Sequence, residues 1–124
     1  MKAIRKIGPD ERVEGDPTPG MIREQAVATD RLWAGLVRNE PRAESGWHHH
    51  SDNETAVFIL FGRLRFEFGP AGGDTVDASA GDFVYVPPEI VHREINPTDE
   101  ESRFVVIRAV SGPPTVNVEG PEPA

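Results

Sequence analysis

The chain has 124 residues, which is enough for one hydrophobic core and too few for two. Its 13 basic and 21 acidic side chains give a net charge of −8, which argues against a nucleic acid partner or an anionic membrane surface, because both attract Lys and Arg. The sequence shows no membrane-spanning apolar segment, no signal peptide and no cysteine, so we expect a cytoplasmic protein.

The chain contains 12 glycines and 12 prolines, and many of them fall between short apolar runs, as in the turns of an all-β protein. Residues 1–20 predict an N-terminal arm, residues 21–118 one β-domain, and residues 119–124 a flexible tail. The domain contains nine runs with the composition of strands: 21–27, 32–38, 55–61, 64–68, 74–78, 83–86, 90–95, 103–110 and 115–118. This number of short strands predicts an antiparallel sandwich or barrel.

Two of these runs make specific predictions about burial. The run 55–61 is nearly all apolar, which predicts a strand buried on both faces. The run 90–95 alternates, so that His92 and Glu94 lie on one face.

A candidate metal site lies between residues 48 and 54. On an extended strand, His48 and His50 point to one face and His49 to the other, because successive side chains alternate. Glu54 has the same parity as His48 and follows a short polar run that can curve the chain, so it is the first candidate for an oxygen ligand. The remaining histidine of the chain, His92, is the candidate for a fourth ligand.

Alternative interpretations accompany these candidates. Asp52 is the rival oxygen ligand, and the three adjacent histidines are also compatible with a surface cluster. Glu94 is either a partner that orients an imidazole or an exposed charge. Four aromatic residues fit barrel packing better than substrate contact: Trp33, Trp47, Phe58 and Tyr85.

Residues 81–96 resemble the second sequence motif of the cupin family. In that motif a glycine, a proline, a second glycine, a histidine and an asparagine follow one another at fixed spacing. Gly81, Pro87, His92 and Asn96 take four of these places, and Glu89 stands where the family has its second glycine.

Residues 48–62 resemble the first cupin motif, in which a His-x-His pair is followed by a glutamate and then by a glycine. His48, His50, Glu54 and Gly62 take those places. Arg42 stands where the family has its leading glycine, and the spacing from Glu54 to Gly62 is one residue longer than usual.

The resemblance implies an all-β fold, a single-domain antiparallel jelly roll or cupin β-barrel. It also implies that His48, His50, Glu54 and His92 bind one divalent transition metal. Fe(II) or Mn is favoured, and Ni, Zn and Cu also suit a site of imidazoles and one carboxylate. Cupins commonly pair, so we expect a homodimer, with residues 1–20 and 111–118 as candidate contacts.

The expected function is that of a metal-binding cupin which acts on a small organic substrate inside the barrel. A mononuclear-metal dioxygenase is the first hypothesis. The second is a non-redox isomerase, decarboxylase or lyase, in which Glu94 or Tyr85 moves a proton. The third is a module that binds a small ligand without turnover.

Overall fold

The computed structural model describes residues 2–15, 18, 20–109 and 115–123. In these residues a 3₁₀ turn at Pro9–Glu11 precedes eleven strands: β1 Val13–Glu14, β2 Met21–Ala28, β3 Leu32–Asn39, β4 His48–His49, β5 Glu54–Phe61, β6 Arg63–Phe68, β7 Asp74–Ser79, β8 Phe83–Val86, β9 His92–Ile95, β10 Ser102–Ala109 and β11 Val116–Asn117. All nine predicted strands are present, with small shifts at their ends. Val110, the predicted end of one strand, lies outside the described residues.

The strands form two antiparallel sheets. One sheet has six strands in the order β1-β2-β3-β10-β5-β8, and the other has five in the order β11-β4-β9-β6-β7. The predicted antiparallel β-barrel is therefore confirmed. Within the described part of the chain, no helix has the length and apolar character that crossing a membrane requires.

The barrel interior changes from apolar to polar along its strands. On β10 the inward residues are Ser102, Phe104, Val106 and Arg108, all buried. Phe104 pairs with Ile59, whereas Arg108, further along, pairs with Thr55. The hydrophobic core thus lies around Phe104, and buried polar side chains collect at the Arg108 end.

The prediction that strand 55–61 is buried on both faces is wrong for the isolated chain. Thr55, Val57 and Ile59 are buried, but Ala56 and Leu60 on the other face are exposed. Both faces of this strand carry apolar side chains, but nothing in the described chain covers the face that points away from the barrel interior.

We call the apolar outside of the six-stranded sheet the outer apolar face. Its register is continuous across four strands, since Leu36 pairs with Val105, Val105 with Phe58, and Phe58 with Phe83. Ala34, Ile107 and Ala56 form a second row beside it. The outer apolar face therefore consists of Ala34, Leu36, Ala56, Phe58, Phe83, Val105 and Ile107.

Parts of the two segments predicted to contact a partner subunit pair with strands of their own chain. Val13–Glu14 adds a strand to the edge of β2, and Val116–Asn117 pairs with β4. Residues 111–114 lie outside the described residues. The edges of both sheets are thus partly covered from within the chain.

Candidate metal centre

The short strand β4 carries two of the candidate histidines into the barrel. His48 is fully buried and His50 is 3% exposed, whereas His49 between them is only half-buried. His49 faces elsewhere, and its Nδ1 accepts a hydrogen bond of 3.0 Å from the Ser51 amide. The alternation predicted for these three residues is confirmed.

His92 reaches the same point from the neighbouring strand. β4 and β9 are antiparallel, and His48 stands directly opposite His92 in their register. The ring centroids of His48 and His92 are 4.4 Å apart, and that of His50 lies 5.0 Å from His92. Three imidazoles predicted from two separate motifs therefore converge.

Glu54 does not join them. Ser51 adopts a left-handed conformation with φ 54°, and the Asn53 amide donates to the carbonyl of His50, which closes a turn. This turn interrupts the alternation, so Glu54 begins β5 on the outer side. Its Oε1 accepts a hydrogen bond of 2.8 Å from the Tyr85 hydroxyl. The rival candidate Asp52 is exposed in the same turn.

Glu94 occupies the place that was expected for Glu54. It follows His92 by two residues on β9, shares its face and is 5% exposed. Its two oxygens lie 3.2 Å from His48 Nε2 and 3.2 Å from His92 Nε2. One nitrogen or oxygen from each of four residues, His48, His50, His92 and Glu94, lies within 4.8 Å of the others.

The outward nitrogens of two rings are fixed by backbone carbonyls. His48 Nδ1 lies 2.8 Å from the Gly46 carbonyl, and His92 Nδ1 lies 2.9 Å from the Ile90 carbonyl. A carbonyl oxygen can only accept, so each Nδ1 carries a hydrogen and each Nε2 faces Glu94. This is the arrangement of metal-binding histidines, in which the non-ligating nitrogen donates to an acceptor of the protein.

The four side chains fit a divalent metal. His48 Nε2 is buried and, although it lies 3.2 Å from Glu94 Oε2, it makes no aligned hydrogen bond, so its lone pair is available. Metal bonds to nitrogen and oxygen of about 2.1 Å allow ligand atoms to be up to about 4.2 Å apart. This limit is close to the 4.8 Å within which the four ligand atoms lie here. A set of three imidazoles and one carboxylate suits Fe(II), Mn, Ni, Cu or Zn.

Electrostatics favours the ionisation states that metal binding needs at His50 and Glu94. Burial, assisted by the positive charge of Arg108, lowers the pKa of His50 to about 2. Burial opposes ionisation of Glu94, but its attraction to the neighbouring His48 and His92 outweighs burial and holds the Glu94 pKa well below its usual value. Burial also lowers the pKa of His92, yet Glu94 outweighs this and the net shift is upward. His50 is thus neutral and Glu94 ionised at neutral pH.

Ser45 was not identified from the sequence as part of the site. It is buried, its hydroxyl donates to Glu94 Oε2 at 3.1 Å, and the Glu94 amide donates back to Ser45 Oγ at 2.9 Å. Ser45 therefore orients the carboxylate. No spacing rule links position 45 to position 94, so a sequence pattern carried no signal for it.

Glu89, which stands where the second cupin motif has its second glycine, keeps the backbone conformation of that position. It has φ 59°, a left-handed conformation in which glycine has no steric cost. Its amide donates to the Ser51 carbonyl at 2.7 Å, which joins the turn before β9 to the turn after His50. The chain therefore has the left-handed backbone conformation at this position without having the glycine.

A mainly apolar cavity of about 230 Å³ adjoins His92. Its wall includes Phe66, Val84, Tyr85 and Ile90. Of the aromatic residues assigned to packing, Trp33 is buried in the core, while Tyr85 is 59% exposed and lies at the cavity. The candidate metal centre therefore has a place beside it for the carbon skeleton of a small molecule.

Comparison with known proteins relates this geometry to a family. A model of the cupin domain matches residues 35–108 of the chain. A curated relative named polyketide synthase CurC, from Streptomyces cyaneus, is 26% identical over 102 residues. That match covers 82% of this chain and 64% of the relative, so the chain spans about two thirds of the relative's length.

Solved structures share the fold. The polyketide cyclase RemF from Streptomyces resistomycificus superposes with a TM-score of 0.76 at 18% identity, over 94% of this chain and 86% of that protein. Oxalate decarboxylase from Bacillus subtilis superposes with a TM-score of 0.70 at 25% identity, over 82% of this chain and 28% of that protein.

Proposed function

Because the chain belongs to the cupin domain family, we propose that it is an enzyme that binds one divalent transition metal and acts on a small organic carbonyl compound. The ligands in this proposal are His48, His50, His92 and Glu94. The observation that carries it is the convergence of these four buried side chains, with ligand atoms within 4.8 Å of one another, beside an apolar cavity.

The proposed reaction is proton transfer at a carbon next to a carbonyl group, without net oxidation. The bound metal supplies Lewis acidity, which stabilises negative charge on the carbonyl oxygen. The apolar wall of the cavity holds the carbon skeleton and limits access of water. Glu94 acts here as a ligand, since it is held ionised between two histidines.

Tyr85, the other candidate for moving a proton, does not face the metal centre. It stands opposite Ala56 of the outer apolar face, and its hydroxyl donates to Glu54 on the outer side of the sheet. This hydrogen bond raises the pKa of Tyr85. A water molecule at the centre is therefore the proposed acceptor and donor of the proton.

The curated relative supports carbonyl chemistry. Polyketides are chains rich in carbonyl groups that enolise readily, and the relative named a polyketide synthase matches over 82% of this chain. The likeness to RemF supports the fold alone, because identity is 18%.

A dioxygenase is the second candidate. The observation that favours it is the donor set itself, because imidazoles combined with one carboxylate are also the ligands of mononuclear iron oxygenases. In that case Fe(II) or Mn would be the working metal, and substrate would be consumed together with oxygen.

Isotope exchange and oxygen uptake separate these functions. Protein loaded with Fe(II), Mn or Zn is incubated in D₂O with slowly exchanging ketones such as pyruvate and acetophenone, and α-deuteration is followed by NMR. We expect exchange above background without oxygen, a large reduction in Glu94→Gln, and little change in Tyr85→Phe, because the Tyr85 hydroxyl lies on the outer side of the sheet. Oxygen uptake with a diketone or catechol would instead favour the dioxygenase. Ligand-induced stabilisation without exchange or product would contradict both enzymes and favour a binding module.

We also propose that the chain forms a homodimer through the outer apolar face. Phe83 is 76% exposed and Ile107 46% exposed, in a chain of net charge −8 whose other surfaces are rich in charge. The centres of protein–protein interfaces contain few charged residues. In a dimer with two-fold symmetry, the outer apolar face of one protomer contacts the same face of its partner.

Light scattering is expected to give twice the chain mass of 13.6 kDa. Ile107→Lys should shift the protein to monomer, because it buries a charge at the centre of the interface. Val76→Lys is the matched control, since Val76 is 40% exposed on β7 of the other sheet. A monomeric wild-type protein at micromolar concentration would contradict the dimer.

A further inference from the structure

We propose that the apolar cavity beside His92 selects the substrate, and that it takes a ketone whose carbon skeleton is apolar and carries no charge. The proposal rests on the proposed function for the reaction that follows, but binding in the cavity requires neither metal nor turnover. It separates alkyl and aryl ketones, which we expect to be substrates, from keto acids and other small carboxylates, which we expect to be poor ones.

The cavity begins at the candidate metal centre. Its wall includes His92, one of the four clustered residues. On β6, the strand next to β9, Phe68 stands opposite His92 and Phe66 stands opposite Glu94. The centres of the Phe66 and His92 rings lie 6.3 Å apart. A molecule that fills the cavity therefore has one end beside the side chains that would hold the metal.

A row of three side chains leads from the centre towards the surface. Glu94 on β9 stands opposite Phe66 on β6, which stands opposite Val76 on β7, the edge strand of its sheet. Glu94 and Phe66 are 5% and 3% exposed, whereas Val76 is 40% exposed. Phe66 and Val76 both line the cavity. The side of the cavity at Val76 is therefore nearest to solvent, and a substrate can enter from there.

The wall of the cavity is suited to a hydrocarbon group. Val84 and Val86 of β8 form it together with Ile90, Phe66 and Phe68. None of the Asp, Glu, Lys and Arg residues in the described part of the chain lines it. A carboxylate that moves from water to such a wall loses its hydration without gaining a partner, which is unfavourable. An alkyl group gains from the same transfer, by about fourfold in affinity for each buried methylene.

The cavity volume sets the size of this group. An apolar protein cavity of about 150 Å³ can hold one benzene molecule, and the volume here is about 230 Å³. The cavity therefore takes one ring with a short substituent, or an alkyl chain of similar volume. Pyruvate, whose only apolar group is a methyl, would leave most of it unfilled.

The test compares 5-methyl-2-hexanone with levulinate, which has the same arrangement of non-hydrogen atoms but ends in a carboxylate where the ketone has an isopropyl group. Binding is measured by ligand-observed NMR titration of protein as purified and of protein stripped by a chelator. We expect the ketone to bind more tightly than levulinate in both preparations, by at least about tenfold in the stripped protein. Along the series acetone, 2-butanone and 2-pentanone, affinity should rise about two- to fourfold with each methylene.

Cavity variants test the location. Val84→Phe fills the cavity from β8 and should weaken ketone binding at least about tenfold, with unchanged metal content because Val84 is not among the four clustered residues. Val13→Phe is the matched control, since it makes the same change at an exposed position of β1 and should leave binding unchanged. If Val84→Phe does not fold, Val76→Phe narrows the cavity at its exposed side and should also weaken ketone binding.

Equal binding of 5-methyl-2-hexanone and levulinate, tighter binding of levulinate in either preparation, no gain along the ketone series, or an equal loss in Val13→Phe would each overturn the proposal. Failure of the proposed function would appear separately, as ketones that bind in the cavity but show no α-deuteration with metal-loaded protein. Conversely, a larger acceleration of exchange for pyruvate than for the ketones, each relative to its uncatalysed rate, would retain the function and overturn the substrate class.

Discussion

Glu94→Gln is expected to weaken divalent metal binding by about 100-fold or more, because it replaces the one buried carboxylate of the cluster by a neutral amide. Both Glu94 oxygens lie 3.2 Å from a histidine nitrogen, and the side chain is nearly unexposed. Glu54→Gln is the matched control, because it makes the same chemical change at the residue that the first motif indicates. The measurement is competition with a chromophoric chelator.

Histidine variants complete this test. His50→Ala and His92→Ala should lose metal affinity to a similar extent, whereas His49→Ala should change it little, because His49 faces away from the cluster. Loss of metal in Glu54→Gln together with retention in Glu94→Gln would reverse the assignment of the carboxylate. Equal loss from all three histidine variants would contradict the alternation on β4.

Asn96→Ala is expected to destabilise the fold by about 3 kcal/mol, with a fall in melting temperature of roughly 10 °C. Asn96 is fully buried, and its Nδ2 donates to the carbonyls of Asn39, Glu40 and Glu100. Its Oδ1 accepts from the Thr98 amide at 3.0 Å. One side chain thus joins the end of β3, the end of β9 and the segment before β10, and alanine would remove all of these buried and part-buried hydrogen bonds.

Denaturant unfolding measures this effect. Asn117→Ala, at an exposed position of β11, is the control and should change stability little. Folded Asn96→Ala protein should still take up metal, since Asn96 is not among the four clustered residues. A loss below about 1 kcal/mol would show that the asparagine of the second motif is not a structural centre.

Much of the fold was accessible from the sequence because the strands alternate cleanly. In β6, Leu64 and Phe66 are buried between more exposed neighbours, as their spacing predicted. The two-residue strand β1 was missed, because Val13 and Glu14 are both exposed and pair only through the backbone of β2. Short edge pairing of this kind depends on where the partner edge lies and leaves no side-chain pattern.

The site was predictable only within uninterrupted strands. His48 and His50 lie on one extended segment, so alternation placed them correctly. The prediction for Glu54 extended that alternation across Ser51, whose positive φ starts a turn and resets the direction of the side chains. Alternation on β9 did place Glu94 beside His92, but whether that face was interior or exposed depended on the packing of the two sheets.

Elemental analysis of untagged protein purified without chelator, expressed as metal atoms per chain, tests the metal centre most directly. We expect about one divalent transition metal per wild-type chain and per Glu54→Gln chain, and little or none per Glu94→Gln chain. Iron or manganese would agree with the favoured metals, and zinc or nickel would confirm the site with a different occupant. A wild-type protein that holds no metal after soaking and desalting would show that these three histidines and Glu94 do not form a metal centre.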